Sequence, residues 1–585
     1  MSPMCPEYCV TYLSGRTSWG HGRGSGAPAA LSEPWVYCRS ISSRSIVNSL
    51  SQAQRRLIWI GCLVPFVSSI VLMLWYWPGS LPQDSTSGVW TALAQDFANG
   101  ILYRPTADAY GFGGTRYMPL FFVLHGTLIR LSLDPIVAGL LLTVASIVLF
   151  DLALLSCLRA LDVPWSLAVP LSVLCHAAVS FQLLSLQVKG DFLAAALNLW
   201  GISFGLRYAR TRSPLVLWCC AVALLGAFLT KFTALWGAVA VCVWLVRRGE
   251  RRQAVTLAAV LAALAVGALA LIQWASDGRA LASFRAVASG GARPGYALGA
   301  PLWFLLVALQ DPVFLSIVAV AALYAAALVG RARISFPVGY FLLAAAGTLA
   351  IFTSPGTDSN HFIDLLGAAV LLLGWRLTRA AGPPAPRPAV GLAVALAGLT
   401  ALTWVPGMIS IKSLIEKGGR PERWKVAAIV QALGPQRHDL LSENPLLPVM
   451  AGQRPRVLDP FNLRLLAREH PDVAADFTRR MRDASFGAVV LVDFTGADRA
   501  HIPAALRACT ASAGDRCYGG VVFPPGFLDL LDREYVLRFV ERPFVVYEPR
   551  LRRRQLGGMK AVLLSPGGAA PGTPDRRLQP VEREP

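Results

Sequence analysis

Apolar runs long enough to cross a bilayer recur from residue 57 to residue 409, and they constrain the fold more than any other feature. A membrane helix needs about 20 mostly apolar residues, because lipid offers its backbone no outside hydrogen-bond partner. Such runs lie near 57–77, 135–157, 164–185, 189–207, 213–230, 232–246, 253–274, 312–330, 335–353, 362–378 and 388–409. They predict an α-helical polytopic membrane protein with about eleven transmembrane helices. Hydrophobic residues make up 55% and charged residues only 15% of the chain. No single soluble core hides that much apolar surface. The 16 Trp suit a chain that needs amphipathic rings at membrane interfaces.

The formal charge of +20 sits largely in short clusters beside apolar runs: Arg55-Arg56, Arg207 to Arg212, Arg247 to Arg252, Arg331-Arg333 and Arg376-Arg379. That placement marks cytoplasmic loops and argues against a nucleic-acid partner, which wants one contiguous basic face. With the N-terminus inside, the loops 78–117, 185–191, 275–300 and 354–361 fall outside. An odd number of spans then puts the C-terminal region outside as well. The expected location is the inner (plasma) membrane, multi-pass, with a cytoplasmic N-terminus and an extracytoplasmic C-terminal domain.

Residues 1–55 are rich in Ser, Gly and Arg and lack the pattern of a secretory signal. They read as a disordered cytoplasmic extension or a start placed too early. The membrane domain is expected over 56–410. Beyond it, short strands at 440–443, 488–493 and 544–548 alternate with helices at 462–470 and 473–482, predicting a small α/β domain over 411–565. Residues 566–585 read as a disordered tail. Cys509 and Cys517 either form a local disulfide in an oxidising compartment or stay free. No internal repeat appears.

The first expected outer loop carries most of the chemistry. Asp84 follows the first span, and an amphipathic helix, about 87–98, stops at Asn99-Gly100. Then come Tyr103-Arg104-Pro105, a glycine-rich turn, and Tyr117-Met118-Pro119-Leu120, which opens a short interfacial helix over 118–131. Further along are Lys189-Gly190-Asp191, Thr230-Lys231-Phe232-Thr233 and Gly356 to Phe362. This order resembles the GT-C class of polyprenyl-phosphate-sugar-dependent membrane glycosyltransferases, which includes protein O-mannosyltransferases and lipid A aminoarabinose transferases. The paired acidic motif common in that class is a single Asp here, after Gln83.

The resemblance implies sugar transfer, with inversion, from a polyprenyl-phosphate donor to an envelope glycan, lipid or protein acceptor at the outer face. Such chemistry needs a carboxylate to take the acceptor's proton and cations to meet the charge growing on the leaving phosphate. Asp84 is the expected general base, with Asp96 in reserve. Lys189, Lys231, His361, Arg104 and Arg116 are the candidate phosphate ligands, and Asp191, Tyr103, Tyr117 and Asn360 the candidate substrate contacts. Plainer readings stand beside these. Asp84 could cap a helix, Lys231 could snorkel to the interface, and Lys189 with Asp191 could be a local ion pair. His125 and His176 read as structural, and Asp151, inside a span, requires a partner that the sequence does not name. No metal or nucleotide-binding motif appears, so no cofactor is expected, although nothing in the sequence bars a divalent ion. The alternatives to an enzyme are a transporter or flippase of lipid-linked sugars, with charges deep in a central pathway, and a structural membrane component.

Overall fold

The computed structural model describes residues 52–75, 85–288, 294–329, 334–354, 357–379, 422–434, 439–492, 501–502, 504, 523–541 and 544–550. The N-terminal extension, Asp84, the expected span 388–409, Cys509, Cys517 and the C-terminal tail lie outside the described residues.

The architecture is helical, with a small sheet near the C-terminus. Among the described residues, Arg56–Leu74, Pro135–Ala160, Arg251–Ala275, Pro312–Val329 and Ser359–Arg379 are long and apolar enough to cross a membrane. The run expected to span at 164–185 is bent by 78°. It comprises helix Trp165–Ser172, the 3-10 turn Leu174–Ala177 and helix Val179–Ser185. Pro170 removes one amide donor, and Ala178 is extended at φ −74 and ψ 133, so the helical ladder breaks there. Shorter apolar helices cover Pro214–Thr230, Trp236–Arg247, Ala297–Ala308 and Phe336–Ile351.

Helix Asp191–Thr211 is central, packed between Pro135–Ala160 and Pro214–Thr230. Several of its buried polar groups are met by its neighbours. The Ser203 and Ser156 hydroxyls are 2.7 Å apart, and Asn198 Nδ2 donates to Asp364 Oδ1 at 3.2 Å. Asp151 finds its partner in His176, whose Nε2 lies 3.0 Å from Asp151 Oδ2.

In the first loop, helix Ser85–Ala98 ends as Asn99-Gly100 requires. Gly100 takes φ +85, its amide donates to Phe97 O, and the Ile101 amide donates to Asp96 O at 2.8 Å. The interfacial helix covers Pro119–Arg130, with Pro119 in its first turn. Read as a polar loop from sequence, 275–300 instead holds helix Arg279–Ala288 and the start of helix Pro294–Ala308. The arginines at 279, 285 and 293 hide that helicity from an apolar scan.

The C-terminal region forms strands β1 (Leu440–Ser442), β2 (Ala488–Val492), β3 (Tyr535–Glu541) and β4 (Phe544–Pro549) in the order β1-β2-β4-β3. The first pair is parallel and the other two are antiparallel. Strand β3 escapes a sequence reading because it is a half-exposed edge carrying Arg538 and Glu541. Helices Pro460–Glu469 and Pro471–Arg482 each begin on a proline.

The sheet domain is sewn to the first loop. The Phe112 amide donates to Arg456 O at 2.7 Å, and the Leu458 amide donates to Phe112 O at 2.9 Å. The Phe112 side chain enters the sheet domain's core, edge-on to Phe477 at 5.8 Å. A second core joins Trp90, Tyr103 and Phe121 to Leu446, Val449 and Leu458. Gly111 makes the close approach possible, since a Cβ there would sit 2.0 Å from Arg456 O. Gly111→Ala is therefore expected to cost about 1–3 kcal/mol through overpacking. The check is a lower melting midpoint in detergent, with Gly267→Ala, inside a helix where nothing lies within 4 Å, melting no lower than wild type.

Candidate functional site

Asp191 opens its helix, where the first-turn amides favour a carboxylate. Gly190 before it lets the turn nest tightly. A Cβ there would lie 3.2 Å from Phe121 Cβ and 3.3 Å from both Thr230 Cγ2 and Trp90 Cη2. Lys231 follows the helix Pro214–Thr230 in extended conformation, at φ −146 and ψ 116. That break turns its side chain to Asp191: Lys231 Nζ donates to Asp191 Oδ1. Asn360 Nδ2 donates to the same oxygen at 3.0 Å. Asn360 and His361 ride on the 3-10 turn Ser359–His361, which Asp358 caps.

Lys231 Nζ also lies 3.1 Å from His361 Nδ1. An ammonium only donates, so Nδ1 accepts and Nε2 carries the imidazole proton. His361 thus has an N–H to offer elsewhere. Lys189, which is buried, and Arg116, which is exposed, lie with Lys231 within electrostatic reach of the same imidazole. Asp364, three residues beyond His361, accepts from Asn198 Nδ2 at 3.2 Å and shares the electrostatic neighbourhood of Lys231 and Asp191. Sequence reading passed over Asp364; the signal was an aspartate three residues into an apolar run after His361.

Of the five candidate phosphate ligands, Lys231 and His361 therefore meet directly, with Asp191 and Asn360 beside them, while Lys189 and Arg116 reach the same imidazole only through their charge. Arg104 does not join them, which corrects the expectation for it and for the reserve base. Its guanidinium grips both oxygens of Asp96, with Nη2 to Oδ1 at 2.9 Å, and Nη1 donates to Pro455 O at 2.6 Å. Arg454 adds a second guanidinium 3.5 Å from Asp96 Oδ1. Asp96 and Arg104 are buried at 2% and 4% exposure, so this carboxylate is committed to a buried ion pair.

Tyr103 is likewise a core residue rather than a substrate contact. Its hydroxyl donates to Tyr117 O at 3.0 Å, and its ring packs on Phe122 and Phe284. Burial raises its hydroxyl pKa above the usual phenol range. Tyr117 stays half-buried, its ring 4.4 Å from Trp90. Asp84 lies outside the described residues, one position before helix Ser85–Ala98. Among the described residues no group of three or more His, Cys, Asp and Glu could hold a metal ion.

No family model matches the sequence, and no curated protein matches it. Solved structures do share its fold. The chain is similar to ArnT from Cupriavidus metallidurans bound to undecaprenyl phosphate, at 13% identity and TM-score 0.52, covering 83% of this chain and 97% of that one. It is also similar to the Archaeoglobus fulgidus oligosaccharyltransferase tethered with an acceptor peptide containing the NVT sequon, at 12% identity and TM-score 0.51. That match covers 83% of this chain and 73% of the other. The chain has the fold of the GT-C membrane glycosyltransferases, and it is a multi-pass membrane protein.

The Lys231–Asp191 pair is partly buried, at 23% and 7% side-chain exposure. Removing one partner of a buried pair costs up to about 3–5 kcal/mol, less where water reaches the pair, because the other charge is stranded. Lys231→Ala is therefore expected to lower the melting midpoint. Adding Asp191→Asn should recover part of it, with a coupling of about 1–3 kcal/mol. Additive losses in that cycle would show that the two side chains do not act as a pair.

Proposed function

We propose that this chain is a glycosyltransferase that moves a sugar from a polyprenyl-phosphate donor to a cell-envelope acceptor. It acts at the outer face of the plasma membrane, with the N-terminus cytoplasmic and the sheet domain extracytoplasmic. The observation that carries this is the meeting of Lys231 and His361 with Asp191 and Asn360 at one end of the helix bundle, in a GT-C fold, with Lys189 and Arg116 within electrostatic reach. Further support comes from the ArnT structure of the same fold, which holds undecaprenyl phosphate.

In the proposed reaction Asp84 takes the proton of the acceptor hydroxyl. The acceptor oxygen bonds to the anomeric carbon as the bond to the phosphate oxygen breaks, inverting that centre. The leaving polyprenyl phosphate gains negative charge beside the ammonium groups, the Arg116 guanidinium and the His361 Nε2–H. The pairing of Lys231 with Asp191, whose Oδ1 Asn360 also steadies, holds the ammonium in place before donor arrives. The interfacial helix Pro119–Arg130 borders the entry for the lipid tail, and the sheet domain shapes the acceptor side. The acceptor is an envelope glycan, lipid or protein.

A carrier of lipid-linked sugars is the second reading. One observation favours it: the Asp151–His176 pair inside the bundle, with Asp151 Oδ1 and His176 Nδ1 making no hydrogen bond. The test separates the two. Full-length protein is given radiolabelled polyprenyl-phosphate sugars and an envelope acceptor fraction, beside Asp84→Asn. Label is expected to move to acceptor with wild type, and Asp84→Asn to lower kcat about 10²–10⁴-fold with little change in KM, the scale of lost general-base catalysis. Equal transfer by both proteins would remove Asp84 from the reaction. No transfer by either, with translocation of the lipid-linked sugar in vesicles, would favour the carrier.

A further inference from the structure

The side chains that meet at the end of the bundle have hydrogen-bonding capacity left over, and its pattern is specific. Asp191 Oδ1 accepts from Lys231 Nζ and from Asn360 Nδ2 at 3.0 Å. Oδ2 of the same carboxylate accepts nothing among the described residues, yet it is not sealed inside the protein as Asp151 Oδ1 is. An ammonium carries three N–H groups. Lys231 spends one on Asp191 Oδ1 and one on His361 Nδ1 at 3.1 Å, which leaves one over. His361 Nε2–H also has no acceptor among the described residues and is open to solvent.

One carboxylate oxygen thus stands beside two N–H donors, on side chains that already hold one another. The carboxylate has little room to swing, since Oδ1 is held twice and Gly190 before it is wedged among Phe121, Thr230 and Trp90. Asp191 is 7% and Lys231 23% exposed, so a ligand meets these groups with little water competing.

A phosphate answers the two donors but not Asp191 Oδ2, because two anions repel. That oxygen needs a hydrogen-bond donor on the part of the ligand joined to the phosphate. In a polyprenyl-phosphate sugar that part is the ring, and the hydroxyl nearest the phosphate sits on the carbon beside the anomeric carbon. An amino group there would set a second cation against Lys231, so a neutral hydroxyl is the better match.

We propose that Asp191 is a specificity-determining residue of the donor site: its Oδ2 accepts from the sugar hydroxyl beside the anomeric carbon, while Lys231 and His361 hold the phosphate. This inference rests on the polyprenyl-phosphate reading given above and narrows it to sugars with a hydroxyl at that carbon.

The experiment measures binding to the full-length protein in detergent, for wild type and Asp191→Asn. The probes are undecaprenyl phosphate, undecaprenyl-phosphate glucose, mannose and arabinose, their 2-deoxy forms, and undecaprenol as the phosphate-free control. Asn keeps an oxygen for Lys231 and Asn360 and puts an amide donor where Oδ2 was. Each sugar lipid is compared with undecaprenyl phosphate on the same protein, which cancels any change at Lys231. Wild type is expected to bind at least one sugar lipid about 10- to 100-fold more tightly than its 2-deoxy form, the scale of one hydrogen bond to a charged group. Asp191→Asn should lose that preference and still prefer undecaprenyl phosphate to undecaprenol. No wild-type preference for the hydroxyl with any of these sugars would overturn the inference. So would a preference that survives in Asp191→Asn, or a variant that no longer tells undecaprenyl phosphate from undecaprenol, since Asp191 would then act only through Lys231. Wild type that fails to prefer undecaprenyl phosphate over undecaprenol would instead overturn the donor reading, and the inference would fall with it.

Discussion

The arrangement of this protein depends on a buried ion pair. Asp96, in the last turn of the first-loop helix, is gripped by Arg104, and Arg104 in turn holds the carbonyl of Pro455. Each charge is buried, so neither is affordable alone; loss of one partner would strand the other. The pair thus ties three pieces of chain: the helix, the loop after it, and the edge of the sheet domain. With that seam closed, the Phe112 backbone completes a short ladder with Arg456 and Leu458. Arg116 and Tyr117, only a few residues on, inherit a fixed place over the end of the bundle.

The bundle supplies the opposite wall through helix ends rather than helix faces. Asp191 begins a helix, Lys231 follows one, and Asn360 with His361 precedes one. At such ends the backbone leaves its regular ladder, and side chains can converge without breaking any interior helical bond. The cost of charge there is also lower than at mid-bilayer, since water and the loop domain are within reach. Deeper in the bundle, polar groups must pair within the protein, as Asp151 does with His176 and Asn198 does with Asp364.

Much of this was legible in the residues. Asn99-Gly100 announced the helix stop that the left-handed Gly100 executes, and the Pro119 helix start fell within a residue of expectation. Lys231, Asp191, Asn360 and His361 were singled out by the resemblance of their segments to the GT-C class and by their place on the expected outer face. What misled was local charge. Arg104 and Asp96 looked like chemistry because the loop around them carried it, and only burial shows them to be a structural pair. The arginines near 285 concealed a helix, and the edge strand β3 concealed itself by being half-wet. Asp364 gave only the signal of an aspartate early in an apolar run.

By itself, then, the sequence determined a polytopic helical membrane protein with a small α/β domain, and it nominated the cationic residues at the ends of its spans. Hydropathy, proline and glycine act over a few residues, so a chain read in order displays them. The tertiary structure decided which nominees meet. Lys231 and Asp191 are 40 positions apart in the chain, and Asn360 is 169 from Asp191. Whether an arginine serves a phosphate or a buried carboxylate depends on what long-range packing puts beside it. That is a property of distance and burial, which sequence order does not carry.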